Sequence, residues 1–417
     1  MSHPHHSISR RTALGAATAT AAMLTTTPSL AAPRGQEDRM TTDKPLSPVP
    51  GKGVARQRAV AAHDAMQKHF GTQDGSDLLR EFHPHREDDN PYSYEWPFSQ
   101  ARIATDQLSR TVGGASLRLD DLIASRDRGQ ERYWHLAGGT TGLPGYASAT
   151  DLEQGAHGTY FYDDNSWVAL AELERHRASG GCEGDLDRVE EILALLRSAR
   201  STDESLPAPG GLFWSQGDDG DRNTVATMPA AKVALHLHQI TGDESLLEDA
   251  REWVEWTREH LLSPEGLFWD HVKLDGTVEK MFWTYNQGVP IGVEVLLHQI
   301  TGEDEHRQRA LDLVDAVIDH YQVFTRGGRL DDDQPVFFNA ILCANLLYAQ
   351  SVLGDVVPGE RITQEAAHRA WTDQRDPATD LSTRRNDKGE LELLMQAGLT
   401  RLQALAAMAP PVWRHLA

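Results

Sequence analysis

The feature that most constrains this chain is an internal repeat. LHQITG occurs at residues 237–242 and again at 297–302, and GLFW occurs at 211–214 and at 266–269. Self-similarity of this kind marks stacked copies of one supersecondary unit, none of which buries its apolar face alone. The hexapeptides lie 60 residues apart, the length of two ordinary helices with their connections, so the unit is read as a helical hairpin. Apolar segments of 3.6-residue periodicity open after Glu95, Asp163-Asp164, Asn223, Asn286, Phe338-Asn339 and Gly389-Glu390. Between them run charge-laced helical segments over residues 55–70, 117–128, 186–200, 245–262, 304–321 and 363–373. The first set suits an inner layer; the second, with one charged face each, suits an outer layer. Six of each predict an all-α (α/α)6 toroid, a barrel of six helical hairpins, with an open α-solenoid as the alternative. In a toroid all inner helices start at one end, so the six segments just ahead of them gather around one mouth.

Charge narrows the partners. Lys+Arg of 40 against Asp+Glu of 62 gives a net −22, which opposes binding to nucleic acid or an anionic membrane surface. Cys182 and Cys343 are too few for a disulfide framework, and one bridge or two buried thiols fit equally well. Residues 1–31 read as an export signal. Ser9-Arg10-Arg11-Thr12-Ala13-Leu14 resembles a twin-arginine motif, a weakly apolar Ala/Thr run follows, and Ser29-Leu30-Ala31 offers a small-residue cleavage site. That run is too short and polar to span a membrane. A start at Met40 would instead leave a cytoplasmic protein. Residues 32–54, which contain several prolines, are expected to be a disordered linker, and residues 55–417 one toroidal domain, expected to be monomeric.

Asp163 and Asp164 sit between aromatic residues at the start of the second inner helix. Other Asp-Asp steps, such as Asp88-Asp89 ahead of Pro91, do not open an inner helix. Adjacent carboxyl groups at a helix start can lie roughly 5 to 6 Å apart, near the spacing of nucleophile and acid/base in glycosidases that retain configuration. The helix N-terminus favours ionisation and like-charge repulsion opposes a second charge, so one group is expected to ionise and the other to hold its proton. The plainer reading is an N-cap aspartate with an acidic neighbour. Around the same mouth, Trp214, Trp269, Trp283 and Tyr285 offer flat faces for sugar rings, and Asn223, Asn286 and Gln287 offer paired donors and acceptors for hydroxyl groups. Gly288 and Gly292 permit close backbone approach. Singly, each of these is more simply a core or capping residue; together they suit a carbohydrate.

These residues also carry a resemblance. YDDNSW, GGLFW followed by RNTVATMPAA, GLFWD and WTYNQGVPIG stand in an order and spacing that resemble glycoside hydrolase family 76, the bacterial and fungal endo-α-1,6-mannanases, over about residues 160–321. The resemblance implies an (α/α)6 barrel that hydrolyses internal α-1,6-mannosidic bonds with retention, without metal or organic cofactor. It implies Asp163 as nucleophile and Asp164 as general acid/base, with Asn165, Trp167, Asn223, Tyr285, Asn286 and Gln287 shaping the sugar subsites. The segment from Tyr92 and the Phe337-Phe338-Asn339 region depart from the family pattern, and these would form outer subsites. A transglycosylase at the same site and a glycan-binding surface protein without chemistry are the alternatives; a sugar epimerase or unsaturated-uronyl hydrolase would lack both motifs. Asp331-Asp332-Asp333 and the Asp218-to-Asp221 cluster lack calcium-loop spacing, and His83 and His85 lack the partners of a zinc site. His238 and His298 recur near inner-helix ends and read as caps.

Overall fold

The computed structural model describes residues 49–217 and 220–417. The expected export signal at 1–31, nearly all of the expected linker, and Asp218-Asp219 lie outside the described residues. The helices are α1 (Lys52–Phe70), α2 (Glu95–Ser109), α3 (Asp120–Glu131), α4 (Tyr162–Ala178), α5 (Leu186–Ser198), α6 (Thr224–Thr241) and α7 (Glu244–Leu261). They continue with α8 (Tyr285–Thr301), α9 (Asp304–Tyr321), the short α10 (Arg329–Asp332), α11 (Val336–Leu353), α12 (Gly359–Asp373), α13 (Leu393–Ala407) and the short α14 (Pro410–Trp413).

Burial separates the two layers. In α6 every residue over 224–237 is buried, which only a helix enclosed on all sides achieves. In α7 the buried residues Leu246, Ala250, Trp253, Val254, Trp256, Thr257 and Leu261 lie on one side, and the opposite face is polar. The inner helices α2, α4, α6, α8, α11 and α13 pack in that cyclic order, and α13 returns to α2. This closure makes the molecule an (α/α)6 toroid rather than an open solenoid. The outer helix beside α13 is α1, from the opposite end of the chain. Phe82–His83 pairs antiparallel with Leu391–Glu392 across the same seam. The apolar helix α11 is long enough to cross a membrane, but its burial within the ring is that of a core helix.

The repeated hexapeptide is a helix-ending device. Gly242 and Gly302 both adopt φ +74°, where a side chain would be strained, and their N–H groups close onto the carbonyls of His238 and His298. Each of these histidines hydrogen-bonds through Nδ1 to a carbonyl five residues on, Asp243 at 2.9 Å and Glu303 at 3.0 Å. Identical ends turn both inner helices into their outer partners with the same geometry.

Three boundaries differ from expectation. α1 begins at Lys52, so the last three residues expected in the linker form its first turn. The segment expected over 117–128 is displaced, because Gly114–Leu117 forms a 3-10 turn and α3 starts at Asp120. α12 begins at Gly359, whose Cα lies too close to the Leu346 carbonyl to accept a side chain.

Candidate active site at the mouth of the ring

Side chains near the starts of five inner helices fasten the loop that arrives there. In α4 the Tyr146 N–H donates to Asn165 Oδ1 at 2.7 Å, and Asn165 Nδ2 donates back to the Tyr146 carbonyl at 3.0 Å. In α8 Gln287 does the same with Phe268, at 2.8 and 2.9 Å. Thr227 accepts from Leu212 N–H, Asn339 donates to the Leu330 carbonyl, and Gln396 accepts from Ser382 N–H. Asn165 and Gln287, expected at sugar subsites, are therefore engaged with loop backbone and fully buried. An amide matches a peptide group donor for acceptor, and here that match serves a chain crossing rather than a ligand.

Asp163 and Asp164 occupy the first turn of α4, whose N-cap is Phe161. The N-cap position is thus taken by an aromatic residue, and neither aspartate is the N-cap aspartate that the plainer reading expected. Tyr162 N–H donates to the Trp214 carbonyl at 2.9 Å, and Phe161 bridges to Ser215, which together fix the helix start against the Gly-Leu-Phe-Trp turn. Asp163 is fully buried and Asp164 is 5% exposed. Trp167, three and four residues further on, lies below them on the same face of α4 and is buried, its indole N–H without a hydrogen-bond partner.

A third carboxylate, Glu95, which in the sequence marks only a helix start, joins this pair. It opens α2, is wholly buried, and accepts from Gln130 Nε2 at 2.7 Å. Burial, then Asp164, then Asp163 push its pKa well above the usual carboxylate range, against opposing pulls from Gln130 and Arg102. The available signal was an acid between aromatics at a repeat-equivalent helix start, Tyr94-Glu95-Trp96 beside Tyr162-Asp163-Asp164.

Aromatic rings wall the mouth. Tyr285 stacks on Phe338 with centroids 3.9 Å apart, Trp283 lies 5.5 Å from Phe338, and Trp96 meets Phe337 edge-on at 5.4 Å. Trp96 and the Phe337-Phe338 pair belong to the two segments that depart from the family pattern, and they touch each other. Trp214 is half-buried against Phe161 at 4.7 Å. Lys280 Nζ sits 4.6 Å from the ring centroid of Trp269, so a cation occupies one face expected to take a sugar. Asn223 and Asn286 are buried with unpartnered Oδ1 atoms, while Asn286 Nδ2 donates to Asp270 Oδ1 at 2.9 Å. His271, also unforeseen, lies between Asp270 and Asp221 at 3.0 and 3.2 Å. Burial lowers its pKa, but these carboxylates outweigh burial and hold it above the usual histidine range. Among the described residues no cluster of His, Cys, Asp and Glu has the arrangement of a metal site.

The sequence profile described as glycosyl hydrolase family 76 matches residues 147–404, more than half of the 417-residue chain. The chain belongs to this family. The chain is also similar to the mannan endo-1,6-alpha-mannosidases of Candida glabrata, 30% identical over 102 residues, and of Saccharomyces cerevisiae, 29% identical over 121 residues. Those alignments cover 23% and 28% of this chain and 23% and 26% of the relatives, so the chain spans about a quarter of the length of the curated relatives it matches. A family 76 mannosidase from Bacteroides thetaiotaomicron superposes with a TM-score of 0.68 at 18% identity, over 85% of this chain and 98% of that one. An alpha-1,6-mannanase of Salegentibacter sp., captured with alpha-1,6-mannotetrose as an inactive variant altered at two consecutive aspartates, superposes with a TM-score of 0.66 at 20% identity, over 85% and 98%. At these identities the structures establish the shared toroid. The family 76 match begins after Glu95, so that carboxylate lies outside it.

Proposed function

We propose that this chain is a glycoside hydrolase cutting α-1,6-mannosidic linkages in a mannan-type polysaccharide or lipoglycan, by a retaining double displacement. The observation that carries the reading is the placement of Asp163 and Asp164 in the first turn of an inner helix, where the mouth of the ring lies. Family membership and the named activities of the relatives support the linkage. The alteration of two consecutive aspartates in the inactive Salegentibacter enzyme supports the pair. In this mechanism Asp164 protonates the leaving glycosidic oxygen while Asp163 attacks the anomeric carbon, giving a mannosyl-enzyme. Asp164 then takes a proton from the water that releases the sugar. Trp167, Trp214, Trp283, Tyr285, Asn223 and Asn286 surround the sugar, and Asn165 and Gln287 hold the loops that present them. Exported action, outside the cell or in its envelope, is part of the proposal and rests on the sequence of residues 1–31.

The test is incubation with linear α-1,6-mannan and with an α-1,4-linked control, reading product lengths and the anomer first formed. Short oligosaccharides from the α-1,6 polymer alone, released as the α-anomer, are expected. Mannan binding with no new reducing ends would overturn the reading.

A further inference from the structure

We infer that Asp270 is a positioning residue for the sugar-binding mouth: with His271 it fixes the Asn286 amide so that its oxygen, an acceptor, is turned towards a substrate hydroxyl. The inference rests on the reading of the mouth as a mannan site. An asparagine can present either its oxygen or its NH2, and the two choices recognise opposite hydrogen-bonding groups. The neighbour on the other side of the amide decides between them.

These residues meet where two inner helices begin. Arg222–Asn223, His271–Val272 and Val278–Glu279 form a small antiparallel sheet ahead of α6 and α8. Asp270, just before the middle strand, accepts the Thr224 N–H at 2.9 Å through its carbonyl and donates its own N–H to the Glu279 carbonyl at 3.0 Å. Its backbone is thus tied to the first residue of α6. Asn286, in the first turn of α8, is 1% exposed and donates through Nδ2 to Asp270 Oδ1 at 2.9 Å, while its Oδ1 has no hydrogen-bond partner. A carboxylate only accepts, so the NH2 must face Asp270 and the oxygen must face away. Buried acceptors are rarely left unmatched, and a sugar hydroxyl supplies the missing donor.

His271 makes this orientation one-sided. Its Nδ1 lies 3.0 Å from Asp270 Oδ2 and its Nε2 lies 3.2 Å from Asp221 Oδ2. Two carboxylates against one ring require N–H on both nitrogens, so the ring is a cation that donates to each. Burial works against that proton, but Asp270 and Asp221 outweigh burial, with Glu279 adding to them. One oxygen of Asp270 is therefore committed to His271 and the other to Asn286.

An amide in place of Asp270 should invert the arrangement. In Asp270→Asn the new oxygen stays with the His271 N–H and the new NH2 turns to Asn286, which must then offer its oxygen inward and its NH2 to the sugar. On linear α-1,6-mannan, Asp270→Asn should lose about 10- to 100-fold in kcat/KM while melting close to the parent's temperature. Exchanging the pair, Asp270→Asn together with Asn286→Asp, again turns an acceptor to the sugar. The exchanged protein should be about tenfold more active than Asn286→Asp alone, in which two carboxylates face each other. If the hydrogen bond between the two side chains served only the fold, Asp270→Asn, which keeps such a bond, would cut mannan like the parent, and that result overturns the inference. An exchanged pair no more active than Asn286→Asp overturns it too, and decides the matter where Asp270→Asn fails to fold. A parent that cuts no mannan removes the reading of the site itself, and the inference falls with it.

Discussion

The two ends of the ring treat charge in opposite ways. At the mouth, where inner helices begin, three buried carboxylates gather: Glu95, Asp163 and Asp164. Deeper in the ring, from the middle of those helices to their ends, cations gather and are hydrogen-bonded. Lys232 Nζ donates to Asn345 Oδ1 at 2.6 Å, and Arg401 donates to Gln100 at 2.9 Å and to Gln107 at 3.2 Å. Gln107 in turn donates to both oxygens of Glu174 at 3.1 Å. Arg177, in the last turn of α4, donates to the carbonyls of Arg414, His415 and Leu416 and so seals the floor with the chain's end. Parallel inner helices point their positive dipole ends to one side and their negative ends to the other, which suits anions at the mouth and cations at the floor. The difference in pairing teaches more. The floor's cations meet neutral acceptors, amide oxygens for Lys232 and Arg401 and backbone carbonyls for Arg177; the mouth leaves Glu95 Oε2, Asn223 Oδ1 and Asn286 Oδ1 unmatched, as an end prepared for a ligand with hydroxyl groups would.

If that contrast is right, variants at the two ends should separate activity from stability. The largest effect is expected at the mouth. Asp163→Asn and Asp164→Asn should each lower mannan turnover roughly 10²- to 10⁴-fold, while melting at or above the parent's temperature because a clustered like charge is gone. Parent-like turnover in either folded variant would break the comparison. Next comes Arg401→Met at the floor, which strands Gln100 and Gln107 and should cost about 3 kcal/mol in urea unfolding, with kcat/KM on mannan unchanged.

Lys232 sharpens the contrast through pH. Burial first, and then Arg177, lower its pKa to about 7 in the folded protein, against a raising pull from Glu174. Between that value and the ordinary lysine range the unfolded chain binds a proton that the folded chain does not, so this residue makes stability rise with pH in that window. Lys232→Met should therefore gain most against the parent at or below pH 7. Its advantage should shrink by about 2 kcal/mol towards pH 9, read from urea midpoints at each pH. A constant difference would show that Lys232 keeps its ordinary proton affinity. The smallest effect belongs to the repeat. His238→Ala and His298→Ala should each cost about 0.5 to 1 kcal/mol, and the double variant their sum, since the two caps share no partner.

The positions of the candidate site residues were legible because they follow the repeat. Asp163-Asp164, Asn223 and Tyr285-Asn286 all fall at inner-helix starts, and the structure carries them to one mouth. Glu95 was visible as a helix start but not as a third acid, because nothing in a linear chain says that the starts of α2 and α4 face each other. The amides of Asn165 and Gln287 mislead for a related reason: a side chain able to grip a sugar hydroxyl can equally grip a peptide group, and only the path of the incoming loop decides. Phe337 and Phe338 looked merely divergent; in three dimensions they meet Trp96 and wall the mouth.

Periodicity and recurrence in the sequence settled that this chain makes helical hairpins, six of them, because a helix buried on all sides and a helix buried along one stripe leave different patterns in the order of residues. Tertiary structure alone decided that the ring shuts with α1 beside α13, which side chains hold loops, and that a glutamate from α2 is buried close enough to the aspartates of α4 to feel their charge. Those outcomes depend on distances between residues far apart along the chain, and electrostatic coupling and hydrogen bonding act over only a few ångströms.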